Sequence, residues 1–353
     1  MSDYENGMPA TSAYQLVRER LEYEQYRWVV TGAAGFIGSH LLQSLLELGQ
    51  PVVGVDNFLT GHRDHLEQVR ELVGAEAWGN FTMIEGDIRD LGVCRAACDR
   101  ADYVLHQAAL GSVGRSLAEP LLCNDINVGG HLNLLEAARL NGVRRVVYAA
   151  SSASYGDHPG LPKQELHIGQ ALSPYALSKH INELYAGVYA RCYGLESIGL
   201  RYFNVFGPRQ DPEGPYAAVI PQWVAAMIRQ RPVIINGDGE SSRDFCYVAN
   251  AVQANLLAAL TNKKAAVNQV YNVALNARTS LNELYLLLRE LLAERHPHLH
   301  DSQPTYAPFR AGDVRHSQAD ISKAVQLLGY APTHDLRRGL RQALRWYEQH
   351  LAA

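Results

Sequence analysis

The sequence lacks the features of a membrane-spanning, secreted or nucleic-acid-binding protein. No apolar run approaches the roughly 20 residues that a transmembrane helix needs, and the N-terminus is polar, without an apolar signal segment. The net charge is −4 and no basic block stands out, which argues against a nucleic-acid partner. We therefore expect a cytoplasmic protein with neither a membrane nor a nucleic acid as partner.

Cysteine is also scarce, with five residues in a chain of 353 and no C-x-x-C pair. This usage is typical of reduced thiols in the cytosol. The alternating histidines of residues 296–300 would need a suitable strand or loop and further ligands to bind a metal, so a polar exposed loop is favoured over a metal site. We expect no metal, and the chain is long enough for one large or two smaller domains.

The most informative stretch near the N-terminus is rich in glycine. An apolar strand is predicted at 27–31, a glycine-rich turn at 32–38 and a helix at 39–48, and the next strand, 52–55, ends at Asp56. This βαβ pattern predicts a dinucleotide site, because the glycines let the backbone approach a pyrophosphate and the helix N-terminus offers free N–H donors. A carboxylate at Asp56 suits the ribose hydroxyls of NAD and repels the extra phosphate of NADP. A glycine-rich turn without a ligand is the alternative.

A second stretch predicts a base on a helix. Ser173 and Pro174 suit the cap and the first position of a helix, and the four-residue spacing of Tyr175 and Lys179 puts both side chains on one face. An ammonium beside a phenol favours the phenolate, so we expect Tyr175 to act as a base below its ordinary pKa of about 10. An amphipathic helix that reads Y-x-x-x-K by chance is the alternative. The upstream glycine-rich turn and the serine pair at 151–152 favour the base.

The spacing G-x-x-G-x-x-G together with Y-x-x-x-K resembles the extended short-chain dehydrogenase/reductase family, and the resemblance covers residues 28–347. Further motifs of that family are R-Y-F-N-x-x-G-P at 201–208, G-x-G-x-x-x-R-D-F at 237–245 and R-x-G-D at 310–313. The resemblance is therefore broader than a single motif.

Strand and helix patterns alternate along the chain, which predicts an α/β fold. We expect a Rossmann-type, doubly wound parallel sheet followed by a smaller mixed α/β substrate domain. The expected divisions are an N-terminal helical extension at 1–26, an NAD-binding domain at 27–203 and a mainly UDP-sugar-binding domain at 204–353, with some return of the chain to the sheet.

The resemblance implies which residues hold NAD. In the family the residue matching Asp87 and its neighbour hold the adenine, the turn at 107–109 lines the cofactor, and the residue matching Phe203 flanks the nicotinamide. The expected cofactor-binding residues are Gly32, Gly35, Phe36, Ile37, Gly38, Asp56, Asn57, Phe58, Thr60, Gly61, Asp87, Ile88, Gln107, Ala108, Ala109, Tyr175, Lys179 and Phe203.

The resemblance also implies the reacting groups. Ser151 would donate to the oxygen at the reacting carbon and relay its proton to Tyr175, with Lys179 as the electrostatic tuner. Ala153 stands where close relatives often carry a third serine, which leaves open any substrate contact from that position. The expected catalytic residues are Ser151, Tyr175 and Lys179, and the expected substrate-binding residues are Gly111, Ser112, Ser151, Ser152, Tyr175, Asn204, Ala218, Val219, Asn236, Arg243, Arg310, Asp313 and Ser317.

Two arginines far apart in the sequence are expected to meet at the substrate. Arg243 and Arg310 fall in the family's loops, and two converging guanidinium groups suit a diphosphate. The matching Asp313 would take a ribose hydroxyl. A solvated surface charge is the alternative for each arginine alone.

The set of residues implies a reaction class. The Thr-Asp-Glu set of sugar-nucleotide dehydratases is missing, and Tyr175, Ser151, Lys179 and NAD remain, which suits reversible oxidation of a sugar hydroxyl. The chain most resembles the UDP-sugar 4-epimerases, which invert C4 through a transient 4-keto intermediate. In the family, the position that matches Ser317 walls the sugar pocket near C2, and Gly111 matches a position that often carries lysine in galactose epimerases. Small residues at both positions favour the UDP-N-acetylhexosamines UDP-GlcNAc and UDP-GalNAc, with their uronic acids left open.

Several alternatives stay open. They are a UDP-glucose or UDP-glucuronate 4-epimerase, a UDP-glucuronate decarboxylase and a non-catalytic NAD-binding regulator. The family commonly pairs two long helices, here about 118–141 and 175–193, in a four-helix bundle, so a homodimer is expected. Supply of amino-sugar nucleotides for surface polysaccharide would fit, although the sequence does not identify a pathway.

Overall fold

The computed structural model describes residues 11–213, 217–309 and 314–351, and its centre is a parallel β-sheet. The strands are β1 Trp28–Thr31, β2 Val52–Asp56, β3 Phe81–Glu85, β4 Tyr103–His106, β5 Arg145–Ser151, β6 Glu196–Tyr202, β7 Val205–Phe206, β8 Ile234–Asn236, β9 Ser242–Arg243, β10 Cys246–Tyr247, β11 Gln269–Val273, β12 Thr279–Ser280 and β13 Thr305–Ala307.

Helices cover the sheet and fill the C-terminal part of the chain. They are α1 Ala13–Tyr23, α2 Phe36–Glu47, α3 Arg63–Trp78, α4 Leu91–Cys98, α5 Val113–Ala118, α6 Pro120–Asn124, α7 His131–Leu140, α8 Pro174–Tyr193, α9 Val219–Ile228, α10 Val248–Leu260, α11 Leu281–Ala293, α12 Ser322–Leu328 and α13 Leu336–Leu351. A π-helical segment, Asp125–Gly130, joins α6 to α7, and a 3₁₀ turn, Ser152–Tyr155, follows β5.

The central sheet has seven parallel strands in the order β11-β6-β5-β4-β1-β2-β3. The strand order changes direction at β1, which has β2 on one side and β4 on the other. In a doubly wound sheet such a switch point opens a crevice at the carboxyl ends of the strands. The predicted Rossmann-type α/β fold is confirmed.

The apolar strands form because both faces of this sheet are covered. Every residue of β1 is buried, and Trp28, Val29 and Val30 have no exposed surface. A parallel sheet with helices on both faces requires such continuous apolar strands. On one face, α2 contributes its leucines, among them Leu41 and Leu45, to the same core.

The C-terminal part of the chain has its own apolar core beside the sheet. Trp223 of α9, Leu284 of α11 and Tyr347 of α13 are buried together there. The short strand pairs β7·β10, β9·β12 and β8·β13 belong to this region. The chain nevertheless returns to the central sheet, because β11 pairs with β6 from Gln269 to Val273.

Some predicted boundaries were wrong. The helix predicted from residue 39 begins at Phe36, directly after the glycine-rich turn. The helix predicted at about 118–141 is divided into α6, the π-helical segment and α7, with Asn127 inside the π-helical segment. The Asn127 side chain binds both the N–H and the C=O of Leu110, at 2.7 and 3.2 Å.

Two kinds of feature are absent from the described residues. No helix among them is long and apolar enough to cross a membrane. In the same residues, no group of three or more His, Cys, Asp or Glu side chains lies together as a metal site would require. Of the alternating histidines, His296 contacts Glu348 and His298 contacts the carbonyl oxygen of Met227.

Candidate active site

A cleft of about 670 Å³ lies at the carboxyl ends of β1, β2, β4 and β5, at the switch point of the sheet. Its volume is in the range of small-molecule sites. It brings together most of the residues predicted from the sequence. Those on its wall are Gly32, Gly35, Phe36, Ile37, Gly38, Asp56, Asn57, Thr60, Asp87, Ile88, Gln107, Ala108, Ala109, Gly111, Ser112, Ser151, Ser152, Tyr175, Lys179, Asn204 and Ala218.

The glycine-rich turn is packed too tightly for side chains. A Cβ on Gly38 would lie 1.9 Å from the carbonyl oxygen of Gly32, and a Cβ on Gly32, whose φ is +70°, would lie 2.8 Å from the nitrogen of Ala108. Gly35 is the N-cap of α2 and leaves the first N–H groups of the helix without a side-chain acceptor. Such a turn fits the pyrophosphate of a dinucleotide, which takes up these donors at the positive end of the helix dipole.

Asp56 holds this turn in place from the end of β2. Its carboxylate accepts the N–H of Ala34 at 2.9 Å and the N–H of Phe58 at 2.8 Å. Burial raises the pKa of Asp56, and these hydrogen bonds oppose the rise. A Cβ on Gly61 would lie 2.9 Å from both carboxylate oxygens, so Gly61 is needed to leave room for the carboxylate. Asp56 therefore organises the loop as well as facing the cleft.

Asp87 lies on the cleft wall and is held in its ionised form. Its carboxylate accepts hydrogen bonds from Arg89 at 2.7 Å and from the Asn57 side chain at 2.8 Å. The hydrogen bond from Arg89 is the main reason that the pKa of Asp87 falls to about 2. The Asp87 carboxylate is thus held on the cleft wall by an ion pair with Arg89 and a hydrogen bond from Asn57.

Ser151, Tyr175 and Lys179 meet at the other end of the cleft. Ser151 closes β5, Tyr175 lies in the first turn of α8, and Lys179 follows one turn later. The Ser151 hydroxyl hydrogen-bonds the Tyr175 phenol. The Lys179 ammonium donates to the carbonyl oxygen of Ala149 at 2.8 Å. The predicted serine, tyrosine and lysine are therefore adjacent in three dimensions.

The electrostatics of this group differ from the prediction. Burial raises the pKa of Tyr175, and the hydrogen bond with the Ser151 hydroxyl opposes this rise. Burial also lowers the pKa of Lys179 to about 8. The expectation that the ammonium sets the Tyr175 pKa below its ordinary value was wrong for the protein alone, because desolvation outweighs a charge that lies 5.9 Å from the ring centre.

Several predicted residues do not reach the cleft wall. The side chain of Phe203 is fully buried against Tyr155, with ring centres 5.9 Å apart. Phe58 has a positive φ of 56° and its ring packs under Arg63, 4.0 Å from the guanidinium carbon. Gly61 contacts Asp56 as described above.

On the substrate side, Val219, Asn236, Arg243 and Ser317 also lie off the wall that the described residues form. Arg243 donates to the carbonyl oxygens of Ser242 at 2.9 Å and Arg315 at 3.2 Å. Two further predicted residues, Arg310 and Asp313, lie outside the described residues.

Sequence reasoning missed part of the wall. Tyr202 lines the cleft instead of its neighbour Phe203, and its hydroxyl donates to Gln107 at 3.2 Å. The alternation of side chains along a strand could have indicated that only one of these two neighbours faces the cleft. The other missed wall residues are Val55, Leu59, Gly86, Leu110, Arg115, Ile126, Ala149, Ala150, Val205, Gln210, Asp211, Glu213 and Ala217.

Comparisons with known proteins agree with this geometry. The sequence profile of the NAD-dependent epimerase/dehydratase family matches residues 28–274. A UDP-glucose 4-epimerase of Mycolicibacterium smegmatis is 34% identical over 91% of this chain and 98% of its own.

Solved structures are similar over nearly the whole chain as well. A UDP-N-acetylglucosamine 4-epimerase from Methanobrevibacter ruminantium, in complex with UDP-N-acetylmuramic acid, has a TM-score of 0.85 at 37% identity and covers 93% of this chain and 99% of its own. A UDP-glucose 4-epimerase of Thermus thermophilus in complex with NAD has a TM-score of 0.78 at 33% identity, with 91% and 99% covered.

Proposed function

Because the chain belongs to the NAD-dependent epimerase/dehydratase family and its relatives include UDP-sugar 4-epimerases, we propose that it interconverts UDP-GlcNAc and UDP-GalNAc. The cofactor is NAD. The observation that carries the proposal is the meeting of Ser151, Tyr175 and Lys179 in one cleft with the glycine-rich turn. This arrangement puts a base beside the place where a dinucleotide binds.

The chain's own residues handle the proton of the reaction. Tyr175 takes the proton of the C4 hydroxyl, with the Ser151 hydroxyl bridging the two oxygens, and gives it back in the reverse step. With NAD and the sugar bound, the Lys179 charge would stabilise the phenolate, which it does not do in the protein alone. When bound, NAD supplies a ring that takes the C4 hydrogen with its electron pair and returns it, so that no cofactor is consumed. Return to the opposite face of the sugar inverts C4.

The N-acetyl preference has two supports. Gly111 on the cleft wall offers no side chain, and nothing lies within 4 Å of a Cβ placed there, so that part of the cleft has space for a bulky sugar substituent. A relative in the solved structures is named a UDP-N-acetylglucosamine 4-epimerase. We propose that Ser317, as a small residue, leaves room for the acetamido group, and that Arg243 binds the diphosphate with Arg310.

Exposed leucines support the proposed homodimer. Leu177 and Leu184 on α8 lie seven residues apart on one helical face, and Leu117 and Leu121 are exposed on the neighbouring helices α5 and α6. An apolar face of this kind is typical of an interface between copies of one chain. A pair of such faces would form the four-helix bundle.

Proton NMR of UDP-GlcNAc incubated with the purified protein tests the reaction. We expect the C4 proton signal of the galacto product to appear until equilibrium is reached, and the Tyr175→Phe protein to give no product. Absence of product from every UDP-sugar, with NAD bound to the protein, would contradict the proposal.

A UDP-glucose or UDP-glucuronate 4-epimerase is the second candidate. It is favoured by relatives named UDP-glucose 4-epimerase and UDP-glucuronate 4-epimerase, at 34% and 30% identity. Initial rates on UDP-GlcNAc, UDP-glucose and UDP-glucuronate, compared at equal concentration, distinguish the candidates. The proposed specificity requires the highest kcat/KM on UDP-GlcNAc.

A further inference from the structure

The backbone N–H of Tyr175 is bound by a side chain from a different helix. Tyr175 lies in the first turn of α8, where N–H groups have no partner within the helix. The N-cap Ser173 accepts from Ala176 at 3.1 Å and so serves another residue. The Ser116 hydroxyl of α5 accepts the N–H of Tyr175 at 3.1 Å. The residue proposed as the base is therefore anchored from outside its own helix.

The geometry of Ser116 makes it a defined acceptor. Its side chain has no exposed surface, and its hydroxyl donates to the carbonyl oxygen of Val113 at 2.7 Å. Because the hydroxyl proton is committed to Val113, the oxygen lone pairs are free to face Tyr175. The Ser116 side chain is shielded from water, so its loss removes an ordered acceptor from a partly buried N–H.

The carbonyl end of Tyr175 is fixed in a similar way. The Ser178 hydroxyl donates to the Tyr175 carbonyl oxygen at 2.8 Å, and the Asn127 amide donates to Ser178 at 3.0 Å. Hydroxyl groups thus hold the main chain of Tyr175 on both sides. Ser116 is the contribution of the separate helix α5 to this arrangement.

Ser116 also connects the phenol with the substrate side of the cleft. It lies on α5, whose cap Ser112 and whose residue Arg115 are on the cleft wall, and Ser112 accepts the N–H of Arg115 at 3.1 Å. The same short helix therefore carries part of the sugar-facing wall and the anchor of Tyr175.

We propose that Ser116 is a positioning residue for the reaction, which sets the place of the Tyr175 phenol relative to Ser151 and the sugar. This inference rests on the proposed function for its kinetic part. The Ser116→Ala protein has an unpaired N–H at Tyr175, and the first turn of α8 shifts to recover a partner. A shift of the phenol by a fraction of an ångström slows proton transfer without changing the groups that hold the substrate.

The kinetic test compares Ser116→Ala with the parent protein. Expected results are a fall in kcat of about tenfold, a KM within about twofold and an unchanged NAD content. The isotope effect with substrate deuterated at C4 rises, because the chemical step becomes slower than product release. A kcat equal to that of the parent, or a kcat reduced only in proportion to the folded fraction, would overturn the proposal.

A matched control removes the same kind of acceptor elsewhere. Ser12 caps α1 and accepts the N–H of Gln15 at 3.1 Å, far along the chain from the cleft residues. Ser12→Ala is expected to keep the parent kcat and isotope effect. Should Ser116→Ala fail to fold, Ser116→Cys keeps a similar volume with a weak sulfur acceptor, and its kcat falls in the same direction; a parent-like kcat there overturns the proposal.

Hydrogen exchange tests the anchor without any reaction. Amide exchange in the first turn of α8 is expected to accelerate in Ser116→Ala and to stay unchanged in Ser12→Ala. Unchanged exchange in Ser116→Ala contradicts the anchor even if the enzyme is active. A parent protein that converts no UDP-sugar contradicts the proposed function instead, and the exchange measurement still decides the role of Ser116.

Discussion

At the scale of single residues, burial and charge compete among Ser151, Tyr175 and Lys179. The Lys179 ammonium donates to the Ala149 carbonyl oxygen at 2.8 Å and is nearly fully buried. The buried groups His106 and His131 near it have lowered pKa values, and burial raises the pKa of the Cys123 thiol, so all three are uncharged at neutral pH. Lys179 is therefore the residue of this group whose charge we expect to change near neutral pH.

We predict that kcat falls as pH rises through about 8, because Lys179, whose pKa burial lowers from 10.5 to about 8, then loses its charge. Its contribution to stability has the opposite sign. Between pH 8 and 10.5 the unfolded chain holds a proton on Lys179 that the folded chain has released. The free energy of unfolding therefore increases as pH rises through this window.

The measurements are kcat from pH 6 to about 10 and urea unfolding of the parent and Lys179→Met proteins. The methionine protein is expected to be the more stable one near pH 7, and the difference is expected to shrink near pH 9.5 as the parent loses its buried charge. A kcat that stays constant across this range contradicts the assignment of Lys179.

Ser317 gives a prediction about specificity. Its N–H donates to the carbonyl oxygen of Ser242 at 3.0 Å. Isolated β-bridges from His316 to Ser242 and from Ala319 to Lys163 fix the segment on either side. Ser317→Tyr is expected to lower the ratio of kcat/KM for UDP-GlcNAc to that for UDP-glucose by at least about tenfold, because the ring fills the space of the acetamido group.

Ser317→Ala is the control for this substitution, since it keeps a small side chain and is expected to keep the preference. Full activity of Ser317→Tyr on UDP-GlcNAc would refute the role of Ser317 as a gate.

At the scale of elements, Asp244 joins three segments that are far apart in the sequence. Its carboxylate has no exposed surface and accepts the N–H of Leu275 at 3.0 Å and the N–H of Ala319 at 3.1 Å. Its own carbonyl oxygen accepts from the Asn204 side chain at 3.2 Å. Burial raises the pKa of Asp244 to about 6, although these backbone hydrogen bonds lower it. One carboxylate therefore organises segments next to Arg243 and Ser317.

Asp244→Asn is expected to raise the KM for the UDP-sugar by about tenfold with kcat and NAD content nearly unchanged. The substitution replaces one carboxylate oxygen, which accepts a backbone N–H, by an amide NH2 group, which cannot accept it. The parent KM should rise as pH falls below about 6, where Asp244 takes up a proton. Asp335→Asn, at an exposed carboxylate that accepts the N–H of Arg338 at 2.7 Å, serves as control. A KM that does not change in Asp244→Asn would contradict this role.

The exposed face of α5, α6 and α8 gives a prediction about assembly. Leu121 of α6 is 81% exposed, and Leu184 is 56% exposed on the neighbouring helix α8. Light scattering after gel filtration is expected to give the mass of a dimer for the parent and of a monomer for the double variant Leu121→Glu/Leu184→Glu, because two buried charges in an apolar interface are costly.

The control is Leu72→Glu, at a leucine of α3 that is 65% exposed, which should leave the dimer intact. A parent of monomer mass, or a double variant of dimer mass, would contradict the proposed interface.

Elements with local signals could be predicted, and elements that depend on distant partners could not. The glycine-rich turn of the βαβ unit at 32–38 and the cap of α8 at Ser173 are determined by residues that are neighbours in the sequence. The interruption of the predicted helix at Asn127 is not determined locally, because the Asn127 side chain binds the main chain of Leu110, 17 residues away. The same limit applies to Phe203, directly after β6, because its burial depends on packing against Tyr155, which is distant in the sequence.

At the scale of the whole molecule, the cleft is made by two parts of the chain that meet. Arg209, buried and with a positive φ of 63°, donates to Gln43 of α2 at 2.7 Å and contacts His40 at 2.8 Å. These contacts hold the segment that contains Gln210 and Asp211 against α2. The sequence motifs indicated that Ser151, Tyr175, Lys179 and the glycine-rich turn share one site, as the cleft wall shows, whereas this segment of the wall depends on tertiary contacts.

The central claim is that the C4 hydrogen leaves the sugar and returns within the closed cleft while Tyr175 handles the proton of the oxygen. The most direct measurement uses UDP-GlcNAc deuterated at C4, incubated with the protein in ordinary water, with the UDP-GalNAc product analysed by NMR and mass spectrometry. The account predicts product with deuterium retained at C4 and none with Tyr175→Phe. Product with hydrogen from water at C4, or retained activity in Tyr175→Phe, would contradict it.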